Sequence, residues 1–139
     1  LVCVLKGASF FYIDLCRCMN CAIDMDFIAV SSYGASAQST GVVRLIKDLD
    51  NNITGRHVVI VEDIVDTGAS IEHTVNLLKA KAPASIAVAT LLFKPEVYRK
   101  EIGIDYCALK VSNRFLVGFG LDYDQLGRNL KDIYEATDE

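Results

Sequence analysis

No apolar stretch in this 139-residue chain approaches the ~20 residues a membrane helix needs, although 52% of the residues are hydrophobic. An α-helical membrane span is thereby excluded, and strands buried on both faces account better for the apolar excess. A basic surplus is also missing. Asp and Glu number 18 against 14 Lys and Arg, a net charge of −4 that argues against a general nucleic-acid-binding surface. Histidine is scarce, with only His57 and His73. Cys16-x-Cys18-x-x-Cys21 therefore finds no fourth metal ligand nearby and reads as small buried apolar side chains. Together with Cys3 and Cys107 these thiols form no disulfide pattern, which fits a reducing cytoplasm. Repeats, low-complexity tracts and linkers are absent, so residues 1–139 read as one domain with a sizeable core. The chain opens on Leu1-Val2-Cys3-Val4-Leu5, a core-strand pattern without initiator Met or basic leader, and residues preceding it are expected to be missing.

What is present alternates between strand and helix. Leu1–Leu5 reads as a buried strand ending at Lys6-Gly7. Ala8 to about Asn20 reads as an amphipathic helix with Phe11, Leu15 and Cys18 inward. Asp24–Val30, Val42–Ile46, His57–Glu62, Ser85–Phe93, Tyr106–Val111 and Phe115–Phe119 read as further strands, and Ser70–Lys81 as a helix. Residues 31–41, small and polar, read as a mobile lid, and 47–52 as a solvated connection. The pattern predicts an α/β fold: an open, mostly parallel twisted sheet with helices on both faces. In such sheets ligands collect at the carboxyl ends of the strands.

Residues 58–70, VVIVEDIVDTGAS, carry most of the chemistry. An apolar strand breaks into a small-residue turn and a helix, so turn amides and the helix N-terminus both face the ligand as an anion site. Carboxylates at Glu62, Asp63 and Asp66 would repel a bare phosphate, so the site should also hold sugar hydroxyls or a divalent cation. A bare Mg²⁺ pocket of the receiver-domain kind is the bland alternative, but it has no need of Thr-Gly-x-Ser after the acids.

This run resembles the phosphoribosyl-pyrophosphate (PRPP) signature of the type I phosphoribosyltransferases. Further matches follow in order: Leu5-Lys6-Gly7; Ser31-Ser32-Tyr33-Gly34 with Ser39-Thr40-Gly41; Lys94-Pro95; and Phe115 through Tyr123. Together they resemble the hypoxanthine-guanine branch of that family, and the resemblance spans nearly the whole chain. It implies displacement of pyrophosphate from PRPP by a 6-oxopurine, with Mg²⁺ as cofactor. It also implies no nucleic-acid or membrane partner, and a homodimer or homotetramer.

The resemblance further implies individual roles. Asp66, Thr67, Gly68, Ala69 and Ser70 cradle the 5′-phosphate, while Glu62 and Asp63 face the ribose and its metal. Asp66 is the general base, although a carboxylate with an ordinary pKa near ~4 is a weak one that needs a dry, positioned site. Lys94 donates to the purine O6. Phe115 stacks on the base and the Leu116 backbone meets its edge. Asp122 binds Mg²⁺, Arg128 and the backbone at Lys6-Gly7 meet pyrophosphate, and the bond matching Lys6–Gly7 can be cis in the family. Ser32 and Tyr33 belong to the mobile lid. Residues 110–139 form the base-binding region and hood, a small unit expected to be partly missing here.

Lys110-Val111-Ser112-Asn113-Arg114 departs from the family pattern of an acid, Ile-Pro and Asp, which leaves open the preference among hypoxanthine, guanine and xanthine. A regulatory homologue that binds PRPP or a nucleotide without catalysis is the reading from another class. Such proteins usually carry a basic surface, whereas this charge is −4.

Overall fold

The computed structural model describes residues 1–32 and 43–137. Its main sheet contains β1 (Val2–Leu5), β2 (Asp26–Ser32), β3 (Val43–Lys47), β4 (His57–Val65), β5 (Ser85–Phe93) and β6 (Tyr106–Lys110). Their spatial order is β3-β2-β1-β4-β5-β6, with every neighbouring pair parallel except β2 and β3. A separate antiparallel pair, β7 (Leu116–Val117) and β8 (Tyr134–Glu135), holds the C-terminal region together.

The central strands are apolar on both faces, and the two helices among the described residues use one face each. Alternation along β1 and β4 turns Val2, Val4, Val58 and Ile60 toward α2 (Ala69–Lys79), which contributes Ile71, Val75 and Leu78. The opposite face offers Cys3 and Val61 to α1 (Ser9–Cys18), which answers with Tyr12 behind Ala8. Burial, with Glu62 and Asp63 nearby, pushes the Cys3 thiol up to about 12, so it behaves as an apolar side chain.

Several expectations are corrected. The inner stripe of α1 runs through Phe11, Tyr12, Leu15 and Cys16, while Cys18 is exposed. A tyrosine can turn inward there because its hydroxyl is satisfied: it donates to Leu1 O at 2.8 Å and accepts from Asp26 N at 3.2 Å. Cys18 and Cys21 are exposed rather than buried. The 47–52 turn is more than a solvated connection. Asp26 is buried there and accepts from Asp50 N and Asn51 N at 3.1 and 2.9 Å. Burial pushes the Asp26 carboxyl up, but the backbone donors of Asn51, Asp50 and Phe27 outweigh it and hold the group below its usual range. Strand β2 extends through Ser32, so the expected lid begins inside a strand. The rest of that lid, Tyr33 included, lies outside the described residues.

Strand order fixes where a ligand goes. The chain leaves β1 for β2 and β3 on one side, then returns to β4 and proceeds to β5 and β6 on the other. The carboxyl ends of β1 and β4 therefore flank the reversal point, where open α/β sheets bind ligands. Lys6-Gly7 follows one of these strands, and Glu62-Asp63 lies toward the end of the other.

Candidate active site

Beyond β4 the chain turns through Asp66 and Thr67 to Gly68, the N-cap of α2, whose φ of 96° is left-handed and suits glycine. Among the described residues no side chain caps this helix, which leaves its first-turn amides available for a ligand, as an anion cradle requires. Asp66, Thr67, Ala69 and Ser70 are exposed on its rim, and the cleft they line extends back to Glu62.

Lys94, at the end of β5, is 7% exposed. Its Nζ lies 3.6 Å from Asp66 Oδ2 and donates to Asn113 Oδ1 at 3.4 Å. A surface lysine with its ammonium in water is therefore ruled out. The structure brings together the cation and the carboxylate that the resemblance assigns to one purine edge.

On the β1 side, two glycines are approached too closely for any side chain, Gly7 by the Asp63 carboxylate and Gly120 by backbone. A Cβ on Gly7 would lie 1.8 Å from Asp63 Oδ2, and one on Gly120 would lie 2.0 Å from Gly7 O. Ser9 N and its hydroxyl both donate to Lys6 O, while the Lys6 side chain is exposed. The cis bond is corrected by one position: it joins Leu5 to Lys6.

Glu62 is buried, and burial raises its carboxyl well above the ordinary value, with the Asp63 charge adding to the rise. Burial raises Asp63 as well, opposed by donation from Ile64 N and by the Arg128 charge. A carboxyl raised by the fold stabilises the ligand-free chain below the ordinary carboxylate range, and the contribution is lost as pH rises through the raised value. Without divalent ions, Glu62→Gln is thus expected to melt like the parent at about pH 4 and several degrees higher at about pH 8. Thermal melts at the two pH values test this; an equal or lower melting temperature at the higher pH would mean that ionising Glu62 costs the fold nothing.

Phe115 is 55% exposed and meets Tyr123 edge-on, with ring centroids 5.7 Å apart, so one face is available for stacking. Leu116 belongs to β7, paired with Glu135. Asp122 accepts from Gln125 N at 2.8 Å and lies 3.4 Å from an Arg128 Nη. Arg128 also donates to Gly120 O at 2.7 Å, and its buried Nε has no partner among the described residues. Asp122 does not join Glu62 and Asp63 in a cluster. Among the described residues no three His, Cys, Asp or Glu side chains could hold a metal by themselves. Mg²⁺ usually takes one or two protein carboxylates plus substrate phosphates, so these separate acids fit an ion that arrives with its substrate.

Three contributors escaped the sequence reading. Gly120 is signalled only by the close Gly118-Phe119-Gly120 spacing, and Asn113 entered as a departure from pattern. Tyr98, against Gly68, lies in a segment with no periodicity to mark it.

The chain matches the phosphoribosyl transferase domain over residues 1–124. It is 47% identical over 130 residues to the hypoxanthine-guanine phosphoribosyltransferase of Streptococcus thermophilus, covering 94% of this chain and 72% of that one. Identity to the Bacillus subtilis enzyme of the same name is 43% over 127 residues, covering 91% and 71%. A solved hypoxanthine phosphoribosyltransferase from Staphylococcus aureus superposes with a TM-score of 0.92 at 38% identity, covering 98% of this chain and 74% of that one. Another, from Trypanosoma cruzi, superposes with a TM-score of 0.91 at 41% identity, covering 98% and 71%. Among the described residues no helix is long and apolar enough to cross a membrane.

Proposed function

Since this chain belongs to the phosphoribosyl transferase domain family, and within it to the hypoxanthine-guanine phosphoribosyltransferases, we propose that it joins a 6-oxopurine to the ribose 5-phosphate of PRPP and releases pyrophosphate. The observation that carries this reading is the Lys94–Asp66 pair at 3.6 Å. A 6-oxopurine whose N9 attacks carries a proton on N7 beside the acceptor O6. A donor and an acceptor held side by side complement that edge, whereas adenine would set its 6-amino donor against the ammonium.

The remaining residues supply positions and charge. The uncapped turn of α2 with Thr67 and Ser70 receives the 5′-phosphate. Asp66 takes the N7 proton as N9 forms its bond to C1, and Phe115 offers its open face to the base. As the C1–O bond breaks, charge grows on the departing pyrophosphate. The Arg128 guanidinium, oriented by Gly120 O and Asp122, would meet that charge. Glu62 and Asp63 face the ribose; they on one side and Asp122 on the other are the carboxylates from which Mg²⁺ arriving with the phosphates would take its one or two protein ligands. That ion would neutralise pyrophosphate oxygens. Ser32 and Tyr33 would belong to the cover over the reacting centre.

Pyrophosphate release with PRPP, Mg²⁺ and a panel of bases tests the reading. Hypoxanthine, guanine or both should yield the nucleoside monophosphate, and adenine should react at least ~100-fold more slowly, because a buried donor left facing a donor costs several kcal/mol. Comparable turnover of adenine would refute the 6-oxopurine assignment. Binding of PRPP with no turnover of any base would favour the non-catalytic regulator.

A further inference from the structure

Between β5 and β6 the chain forms a short strap, residues 94–100, bound to the phosphate loop at two points. Lys94 N donates to Val65 O at 3.0 Å, and Arg99 N donates to Thr67 O at 3.0 Å. Those two carbonyls stand on either side of Asp66. The loop carrying the base is thus pinned on both flanks by the segment that carries the purine-reading lysine.

Tyr98 completes the brace. A Cβ on Gly68 would lie 2.6 Å from Tyr98 Cε2 and 3.1 Å from Cδ2, so the ring rests directly on the glycine that opens α2. The ring is held on its other sides. Phe93 meets it edge-on with centroids 5.2 Å apart, and the Tyr98 hydroxyl donates to Ile102 O. Lys100, two residues on, lays its stem beside the ring, its Cγ also 2.6 Å from that Cβ position, and pairs with Glu72 in the first turn of α2 at 3.0 Å.

We propose that Tyr98 is a positioning residue that couples the two halves of the site, so that a phosphate in the cradle tightens binding of the base at Lys94, and the reverse. The inference rests on the function proposed above. Its physical basis is that the strap, the loop and the helix start cannot shift independently while the ring covers Gly68. Ordering any one of them by a ligand orders the others, which leaves less ordering for the second ligand.

Calorimetry with ribose 5-phosphate and hypoxanthine tests the coupling. The affinity of each is measured alone and with the other saturating, for the parent chain, Tyr98→Leu and Tyr98→Phe. The parent should show a reciprocal enhancement of at least ~5-fold, within the range of ordinary coupling energies. Tyr98→Leu, which keeps an apolar side chain but removes the flat ring, should lose most of that enhancement. Tyr98→Phe keeps the ring over Gly68 and should retain it. A residue that merely supports the fold would lower melting temperature or weaken both ligands while leaving the enhancement intact, and that result would overturn the proposal. So would a parent chain that binds both ligands without coupling, or loss of coupling in the Phe variant equal to that in Leu. A parent chain that binds neither ligand would overturn the proposed function itself, and the coupling with it.

Discussion

Asp66→Asn is expected to slow the chemical step by ~10²–10⁴, the range typical of losing a positioned base, while PRPP binding stays within a few-fold. Asn preserves the shape of the loop and its backbone amides, so the phosphate cradle survives. The competing explanation, that Asp66 caps the following helix, would let Asn serve equally well. The structure already weakens it, because the N-cap is Gly68 and Asp66 makes no side-chain cap to α2. Half exposed at its rim, Asp66 instead directs its carboxylate toward Lys94. Single-turnover rates measured beside PRPP affinity separate the roles. Lost binding with an intact chemical step would mean that Asp66 shapes the phosphate site and that the proton goes elsewhere.

The parts of this site that the sequence discloses are those built by neighbours in the chain. A short run of β-branched residues such as Val58–Val61, bounded by turn signals, reads as a strand buried on both sides, and Asp-Thr-Gly after two acids breaks it where a helix begins. Both features are local, so strand, turn and helix are all legible, as is the strand–helix alternation that sets the sheet. Contacts between distant segments are not. Nothing in the residues around Tyr98 announces that the ring lies on Gly68, thirty positions earlier. Gly120 looks like any turn glycine until Gly7 O is found 2.0 Å from where its Cβ would stand. Strand β8 has two residues and exists because β7 lies beside it, so no periodicity marks it. The choice of Tyr12 over Cys18 for the inner face of α1 likewise depends on a remote partner, the backbone of Asp26. Local propensity and pattern speak for the frame; tertiary contact decides how closely its loops approach one another.

Lys94→Ala is expected to lower kcat/KM for hypoxanthine or guanine by ~10²-fold or more, while adenine, slow already, changes little, so that discrimination between the bases collapses. The reason lies in burial. Lys94 is 7% exposed, and its ammonium is held between Asp66 and Asn113 rather than in bulk water. A charged donor in so dry a place contributes more to an O6 acceptor than it would at the surface, and it opposes a 6-amino group correspondingly more. Taking the lysine away removes both effects together, and this distinguishes recognition from support of the fold. A lysine that merely buttressed β5 would, on removal, lower turnover of every base by the same factor and leave the ratio between them untouched. Its loss would then show as a lower melting temperature with specificity preserved. Measuring kcat/KM for hypoxanthine, guanine and adenine on both chains gives the ratio directly. A ratio unchanged by Lys94→Ala would show that the 6-position is read by some other group and that the Asp66–Lys94 pair is an ordinary ion pair at the edge of a strand.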